Sequence, residues 1–319
     1  MTFLNKRATV TVGLVTAATI ALAGCSRGEG EPEPAPDAAE MRVASLGLGD
    51  ADTLLTLGIT PVAVAPWGAE GDVGPSGVGP WSEDLLGSAK PVTIHNVASG
   101  FTADILEQVS AVDPTHIIAV NQAVDVKAQE SLENIAPTTL APEEYDDWQV
   151  PWEVQVTAIA KGVGMESEGQ ELIERTQQVF EDFRRDNPEV QGARAAIVMP
   201  YDGNIGLYTA EDGRGQFIEN LGFEIPDELQ GDGSTFFVNY APENYTELND
   251  VDYLFVLDYN GLVEQVKNDP TFQNLEVVRD GRVRYLDTDI GNAMSMPNPV
   301  TIPWVTELSL IHISEPTRL

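Results

Sequence analysis

The sequence predicts an α/β protein: two small Rossmann-like lobes joined by one long helix. Three observations lead there. HIIAV at 116–120 and DYLFVL at 252–257 are apolar on both faces, as parallel strands covered by helices are. Strand–helix alternation runs through residues 42–120 and returns at 195–257, with LGITP (57–61) matched by LGFEIP (221–226) and DPTHIIAV by DVDYLFVL. Between the halves, residues 154–188 carry a helical period. One continuous doubly wound domain with this segment as a crossover helix fits the same residues, so both architectures stay open at this point.

The chain begins with Lys6 and Arg7, then an uncharged apolar run at 8–23, the pattern of an export signal. The run is short for a membrane span. Leu22, Ala23, Gly24 and Cys25 resemble the lipobox of bacterial lipoproteins, in which cleavage precedes the cysteine and its thiol carries diacylglycerol. Two acyl chains anchor stably where one is marginal. Residues 1–24 are therefore expected to be a lipoprotein signal peptide, Cys25 the lipidated residue, and 25–40 a flexible acidic tether with little apolar surface to bury. The alternative is an ordinary export signal followed by a buried free cysteine.

The first lobe is expected over 41–153. RVASL (42–46) reads as a strand, ADTLLTLG as a helix stopped by Gly58, and PVAVAP (61–66) as a second strand. Residues 71–82 are loop, EDLLG starts a short helix, and a further helix spans about Thr102 to Val112 before HIIAV. The linking segment is 154–188. Val156, Ile159, Ala160 and Val163 give one apolar face, Gly162 and Gly164 interrupt it, and Ser167 with Gln170 predicts a capping box. Leu172, Ile173, Val179, Phe180 and Phe183 continue the apolar face. The second lobe, 189–308, has AAIVMP (195–200) as a strand, GQFIENLG (215–222) as a helix stopped by Gly222, and DYLFVL as a strand. SLIHISEPTRL resembles translated sequencing-adapter sequence more than a native helix, so 309–319 is expected to be a non-native tail.

Fifty-one acidic residues face 17 basic ones, a net charge of −34 that becomes −36 once Lys6 and Arg7 leave with the signal. No basic patch can neutralise phosphates, which argues against nucleic acid, and against broad contact with an anionic membrane. One cysteine forbids an internal disulfide. With only His95, His116 and His312, a His/Cys zinc site is not expected, and no metal-ligating set is proposed. GLGDAD (47–52) lacks the GxGxxG of a dinucleotide site. There is no GxSxG or HExxH. Acidic pairs such as Glu143–Glu144 and Asp146–Asp147 read as solvated loop charges, so no catalytic residue is assigned.

What remains is aromatic residues in loops. Trp67, Tyr201 and Tyr259 each follow a predicted strand, where ligands bind in open parallel sheets. Trp81 sits in GVGPW, Trp148 and Trp152 flank QVPW, and Tyr208 lies just before Arg214. Each aromatic alone is more often packing; together they suggest a cleft with flat walls. Arg214 falls at a predicted helix start, the unfavourable end for a cation. It is either a surface residue or a donor to ligand oxygens.

These stretches resemble a family: the iron-siderophore substrate-binding lipoproteins of ABC importers, in their actinobacterial form. RVASLGLGDADTLLTLGITPVAVAPWG, GVGPWSEDLLG, DPTHIIAVNQ, ENIAPTT, VPWEVQ and GRGQFIENLGFEIP carry the resemblance over about residues 41–308. It implies a class III substrate-binding fold that closes only slightly, an extracytoplasmic lipid-anchored monomer, and no enzyme activity. It implies a ferric siderophore as ligand, with no cofactor and no protein–iron bond; Trp67, Trp81, Tyr201, Arg214 and Tyr259 are the residues expected to hold it. It also implies an ABC permease that touches an acidic residue on each lobe. Glu107, in ADILEQVSAVDP, aligns with the first; the second falls at Gln216 or Glu219, and the glutamine departs from the pattern. Relatives that grip ferric catecholates use several arginines, and Arg214 is the one candidate here. A chain near −36 repels a catecholate complex of about −3 and favours a neutral or cationic hydroxamate. Catecholate or mixed siderophores, cobalamin and haem are the alternatives within this fold. A surface-anchored hydrolase using an acidic pair and an adhesive domain on a tether are those outside it.

Overall fold

The computed structural model describes residues 41–67, 73–201, 203–231, 235–259 and 261–314, with side chains as far as 308. The expected signal peptide, Cys25 and tether lie outside the described residues, as do 315–319 of the expected tail.

The first sheet is built from β1 (Val43–Ser45), β2 (Ala63–Val64), β3 (Val92–Thr93), β4 (His116–Ala119) and β5 (Thr138–Leu140), in the order β3-β2-β1-β4-β5. Every pairing is parallel. Four helices alternate with these strands: α1 (Asp50–Thr56), α2 (Glu83–Leu86), α3 (Ala103–Ala111) and α4 (Val126–Glu133). Successive side chains point to opposite faces of a strand. Val43, Ile118 and Val120 accordingly share a core with Leu54 of α1, whereas Ala44, Leu46, Ile117 and Ala119 pack with Ile105 and Val109 of α3 and Leu132 of α4. That division explains why HIIAV is apolar throughout. Thr102 caps α3, its hydroxyl accepting from the Ile105 amide, and Gly58 takes φ 81° just past α1.

The linking segment is two helices, α5 (Trp152–Gly162) and α6 (Glu166–Asp186). α5 packs on α1, β4 and β5 as well as α6, so it belongs to the first lobe, and α6 alone runs on toward the second. The expected capping box does not form. α6 starts at Glu166 with no side-chain cap, because a tight turn through Gly164 (φ 70°) already places Ser167 inside the first turn. Gly169 explains the close approach: a Cβ there would lie 2.4 Å from Cβ of Ala160.

The second sheet has β6 (Ala195–Tyr201), β7 (Asn204–Tyr208), β8 (Phe237–Tyr240), β9 (Tyr253–Leu257) and β10 (Val283–Leu286), in the order β10-β9-β6-β7-β8. Its helices are α7 (Gly213–Asn220), α8 (Val263–Asn268), α9 (Pro270–Gln273), α10 (Glu276–Arg279), α11 (Thr288–Ser295) and α12 (Thr301–Ser314). The lobes are less alike than the sequence suggests. β7 runs antiparallel to β6, and β8 to β7, so this sheet is mixed. Tyr201 pairs with Asn204, and the sequence between them, Asp-Gly, is a strong hairpin signal.

One apolar core joins the lobes. It contains Val43 and Ile118 of the first sheet, Phe180 and Phe183 of α6, and Ile197, Phe255 and Phe217 of the second lobe. Phe180 sits at the crossing, with its ring centroid 6.3 Å from that of Trp152 and 5.8 Å from that of Phe217.

Candidate ligand cleft

In open α/β sheets, ligands collect outside the carboxyl ends of the strands, where strand order reverses. Three of the expected loop aromatics follow strand ends, whereas Trp152 opens α5 and is buried in the core at 1% exposure. Trp67 comes three residues after β2, Tyr201 ends β6, and Tyr259 comes two after β9.

On the first lobe, Trp67 and Trp81 stack with ring centroids 5.1 Å apart and planes 17° from parallel. Trp304 of α12 meets Trp81 edge-on at 5.5 Å. Trp67 is half-buried; Trp81, expected to line the cleft, is only 6% exposed and lies behind it. The Trp81 Nε1–H donates to Asp52 Oδ2 at 2.9 Å, and the Ser82 hydroxyl donates to Asp52 Oδ1 at 2.6 Å.

On the second lobe, Arg214 opens α7. Nη1 lies 3.1 Å from each carboxylate oxygen of Asp212, which also caps the helix by accepting from the Arg214 amide. The guanidinium carbon sits 4.1 Å from the Tyr208 ring centroid. Asp212 thus offsets the unfavourable position of a cation at a helix start. Burial pushes Asp212 and Tyr208 up, and the Arg214 charge opposes both shifts. Nε of Arg214 is buried and has no partner among the described residues. Phe237 lies edge-on between Tyr208 and Tyr201, at 5.6 and 6.3 Å. Tyr201 and Tyr259 are open, 53% and 40% exposed, and Tyr259 is near enough to Tyr208 to raise its pKa further. The structure therefore groups Tyr201, Arg214 and Tyr259 on one lobe, and Trp67 with Trp81 on the other.

The segment between α11 and α12 lies between these groups. Pro297 packs against Gly213, beside Arg214. Met296 packs against Gly49, and Asn298 Nδ2 donates to Asp52 Oδ2 at 2.9 Å. The turn after β1 is also filled. Asp50 accepts from the Val120 and Asn121 amides at 2.7 and 3.2 Å, and a Cβ at Gly47 would lie 2.0 Å from Asp50 Oδ2. GLGDAD therefore holds the protein's own carboxylate where related folds hold a ligand phosphate.

The two expected permease contacts lie apart from this cleft. Glu107 is exposed on α3. Glu219 is exposed on α7 and lines a groove of about 470 Å³ with Tyr145, Gln149, Glu153 and Gln216. Burial raises the pKa of both Glu153 and Glu219. Gln216 is committed to its own chain, its Nε2 donating to the Glu211 carbonyl. Among the described residues no group of three or more His, Cys, Asp and Glu side chains is placed to hold a metal ion.

Sequence reasoning missed Asp50, Asp52, Phe237, Asn298 and Trp304. For Asn298 a signal existed: in Pro297-Asn298-Pro299, immediately before a helical run, asparagine is a good helix cap. Its Oδ1 accepts from the Val300 and Thr301 amides.

Two open α/β sheets on a shared core, with aromatic loops gathered at their strand ends, define a bilobed ligand-binding protein of the class III substrate-binding fold. Residues 43–290 match the periplasmic binding protein family, and the chain belongs to it. The Fe(3+)-citrate-binding protein YfmC of Bacillus subtilis (strain 168) is 25% identical over 253 residues, 78% of this chain and 73% of that protein. A periplasmic solute binding protein from Mycobacterium smegmatis superposes with a TM-score of 0.72 at 25% identity, over 83% of this chain and 89% of that one. PiaA from Streptococcus pneumoniae TIGR4, in complex with ferrichrome, does so with a TM-score of 0.71 at 24% identity, over 85% and 91%.

Proposed function

We propose that this protein captures a ferric siderophore of the hydroxamate class outside the cytoplasm and delivers it to an ABC permease for iron uptake. The observation that carries the reading is Arg214. It is a single cation whose charge Asp212 matches and whose guanidinium lies over Tyr208, with an Nε–H that has no partner among the described residues, on the lobe that carries Tyr201 and Tyr259. With its side chain 18% exposed, the guanidinium offers a hydrogen bond to ligand oxygens without a net positive charge to hold a polyanion. Trp67 forms the opposite wall, with Trp81 behind it. A trihydroxamate brings all its own iron donors, so the protein supplies apolar surface and one donor and makes no bond to iron. The PiaA complex with ferrichrome supports this class of ligand.

The rest of the reading follows the sequence. Cys25 carries the lipid, residues 25–40 form the tether, and Glu107 and Glu219 face the permease. No catalytic role is assigned.

A second reading, a ferric carboxylate such as ferric citrate, is favoured by the similarity to YfmC. The Arg214–Asp212 pairing weighs against it, since a polycarboxylate complex needs cations that are not already matched. Tryptophan quenching on titration with ferrioxamine and with ferric citrate separates the two.

A further inference from the structure

We propose that Asp52 is the positioning residue of the cleft, holding the Trp67–Trp81 stack in place and tying it to the segment that meets the opposite wall. The inference rests on the reading above in one respect: Trp67 is taken to touch the ligand.

Asp52 is 3% exposed and touches nothing outside the protein. Its two oxygens collect three donors from two distant stretches of chain, 81–82 and 298. Oδ2 accepts from Trp81 Nε1 and from Asn298 Nδ2, both at 2.9 Å, and Oδ1 accepts from Ser82 Oγ at 2.6 Å. The indole and amide N–H groups can only donate, so Oδ2 must be an unprotonated acceptor. Asn298 has no freedom to turn away. Its Oδ1 accepts from Val300 and Thr301 at the start of α12, and its other amide hydrogen goes to the Met296 carbonyl at 2.9 Å. All four of its hydrogen bonds are made.

The position of Trp81 is therefore set from both sides. Its N–H is fixed by Asp52, and its face supports Trp67, the ring with open surface. The same carboxylate fixes Asn298, whose neighbour Pro297 packs on Gly213 beside Arg214. One buried group thus sets the spacing between the tryptophan wall and the arginine wall. Burying a polar group is costly unless its hydrogen bonds are made, and Asp52 makes three. Preorganisation of this kind spares the ordering cost of binding.

Three variants test the proposal: Asp52→Ala, Asp52→Asn and Asn298→Asp. Each is read by near-UV circular dichroism of the unliganded protein, which reports the coupled Trp67–Trp81 pair, and by titration with ferrioxamine. Asp52→Ala should lose the coupled tryptophan signal and bind about tenfold or more weakly. Asp52→Asn should restore both, since its carbonyl can serve Trp81 and Asn298 while its amide donates to Ser82 Oγ. If Asp52→Ala does not fold, Asn298→Asp decides: it keeps the α12 cap, sets two carboxylates against each other, and should weaken binding by a similar factor. A folded Asp52→Ala with the wild-type tryptophan signal and affinity overturns the proposal, as does an unchanged affinity in Asn298→Asp. If the wild type binds no ferric chelate, the ligand reading fails by itself. Asp52 is then judged on the tryptophan signal alone, whose loss in Asp52→Ala and return in Asp52→Asn supports it and whose persistence in Asp52→Ala overturns it.

Discussion

Arg214 and Asp212 neutralise each other at the start of α7, with Nη1 3.1 Å from both carboxylate oxygens and Nε without a partner among the described residues. The arginine side chain is 18% exposed and the aspartate 7%, so solvent screens the pair only weakly. Arg214→Ala should weaken ferrioxamine binding by about 1.5–3 kcal/mol, the worth of a charged hydrogen bond. It should also lower stability by about 3–5 kcal/mol, because Asp212 is left buried and unpaired. Isothermal titration together with urea unfolding separates the two losses. An affinity equal to wild type would return Arg214 to a structural role.

Asp212→Asn tests the charge balance from the other side. Asparagine caps helices as well as aspartate does, so α7 keeps its start while Arg214 gains an unmatched charge. The ratio of ferric citrate affinity to ferrioxamine affinity should rise. A ratio that does not move would show that the pairing does not set ligand charge.

Asp50 gives the fold a pH dependence of defined sign. Burial, opposed by the Val120 and Asn121 amides, pushes its carboxyl up from 3.8 to about 7, and burial raises Asp52 as well. A raised pKa means that the native state holds the proton where the unfolded chain has released it. The stabilisation is complete below 3.8 and is lost as pH rises through about 7. Three units correspond to about 4 kcal/mol as an upper figure. The urea midpoint should therefore fall between pH 5 and pH 8, and Asp50→Asn should flatten that slope. A midpoint that rises over the same range, or an unchanged slope in the variant, would contradict this assignment.

Much of the first lobe is legible in the sequence, because each of its signals is local. Gly58 stops α1, Thr102 caps α3, and HIIAV is apolar on both faces because helices cover both. The second lobe is less so. The strand expected over 195–200 runs on to Tyr201, and the next strand, β7, pairs with it antiparallel. The aromatics proposed for the cleft are visible in the sequence as loop residues, and Arg214 stands out against a scarcity of cations. Asp52 could not be found that way. With 51 acidic residues, an aspartate carries no signal of its own, and its partner Asn298 lies 246 positions away. Only folding brings them together.

Lipid anchoring rests on the lone cysteine behind Leu22, Ala23 and Gly24. Cells expressing the wild type should incorporate a palmitate analogue into this protein, and Cys25→Ala should abolish the label and release the chain or leave it uncleaved. Equal labelling of the two would refute the anchor.

We propose that the cleft takes a neutral or cationic ferric hydroxamate in preference to an anionic complex. Parallel fluorescence titration of the wild type with ferrioxamine, ferric citrate, a ferric catecholate and cobalamin tests it most directly. Tight quenching by ferrioxamine, with the anionic complexes and cobalamin at least about 1.4 kcal/mol (tenfold) weaker, is the predicted result. Tight binding of ferric citrate or the catecholate with none of ferrioxamine would contradict it.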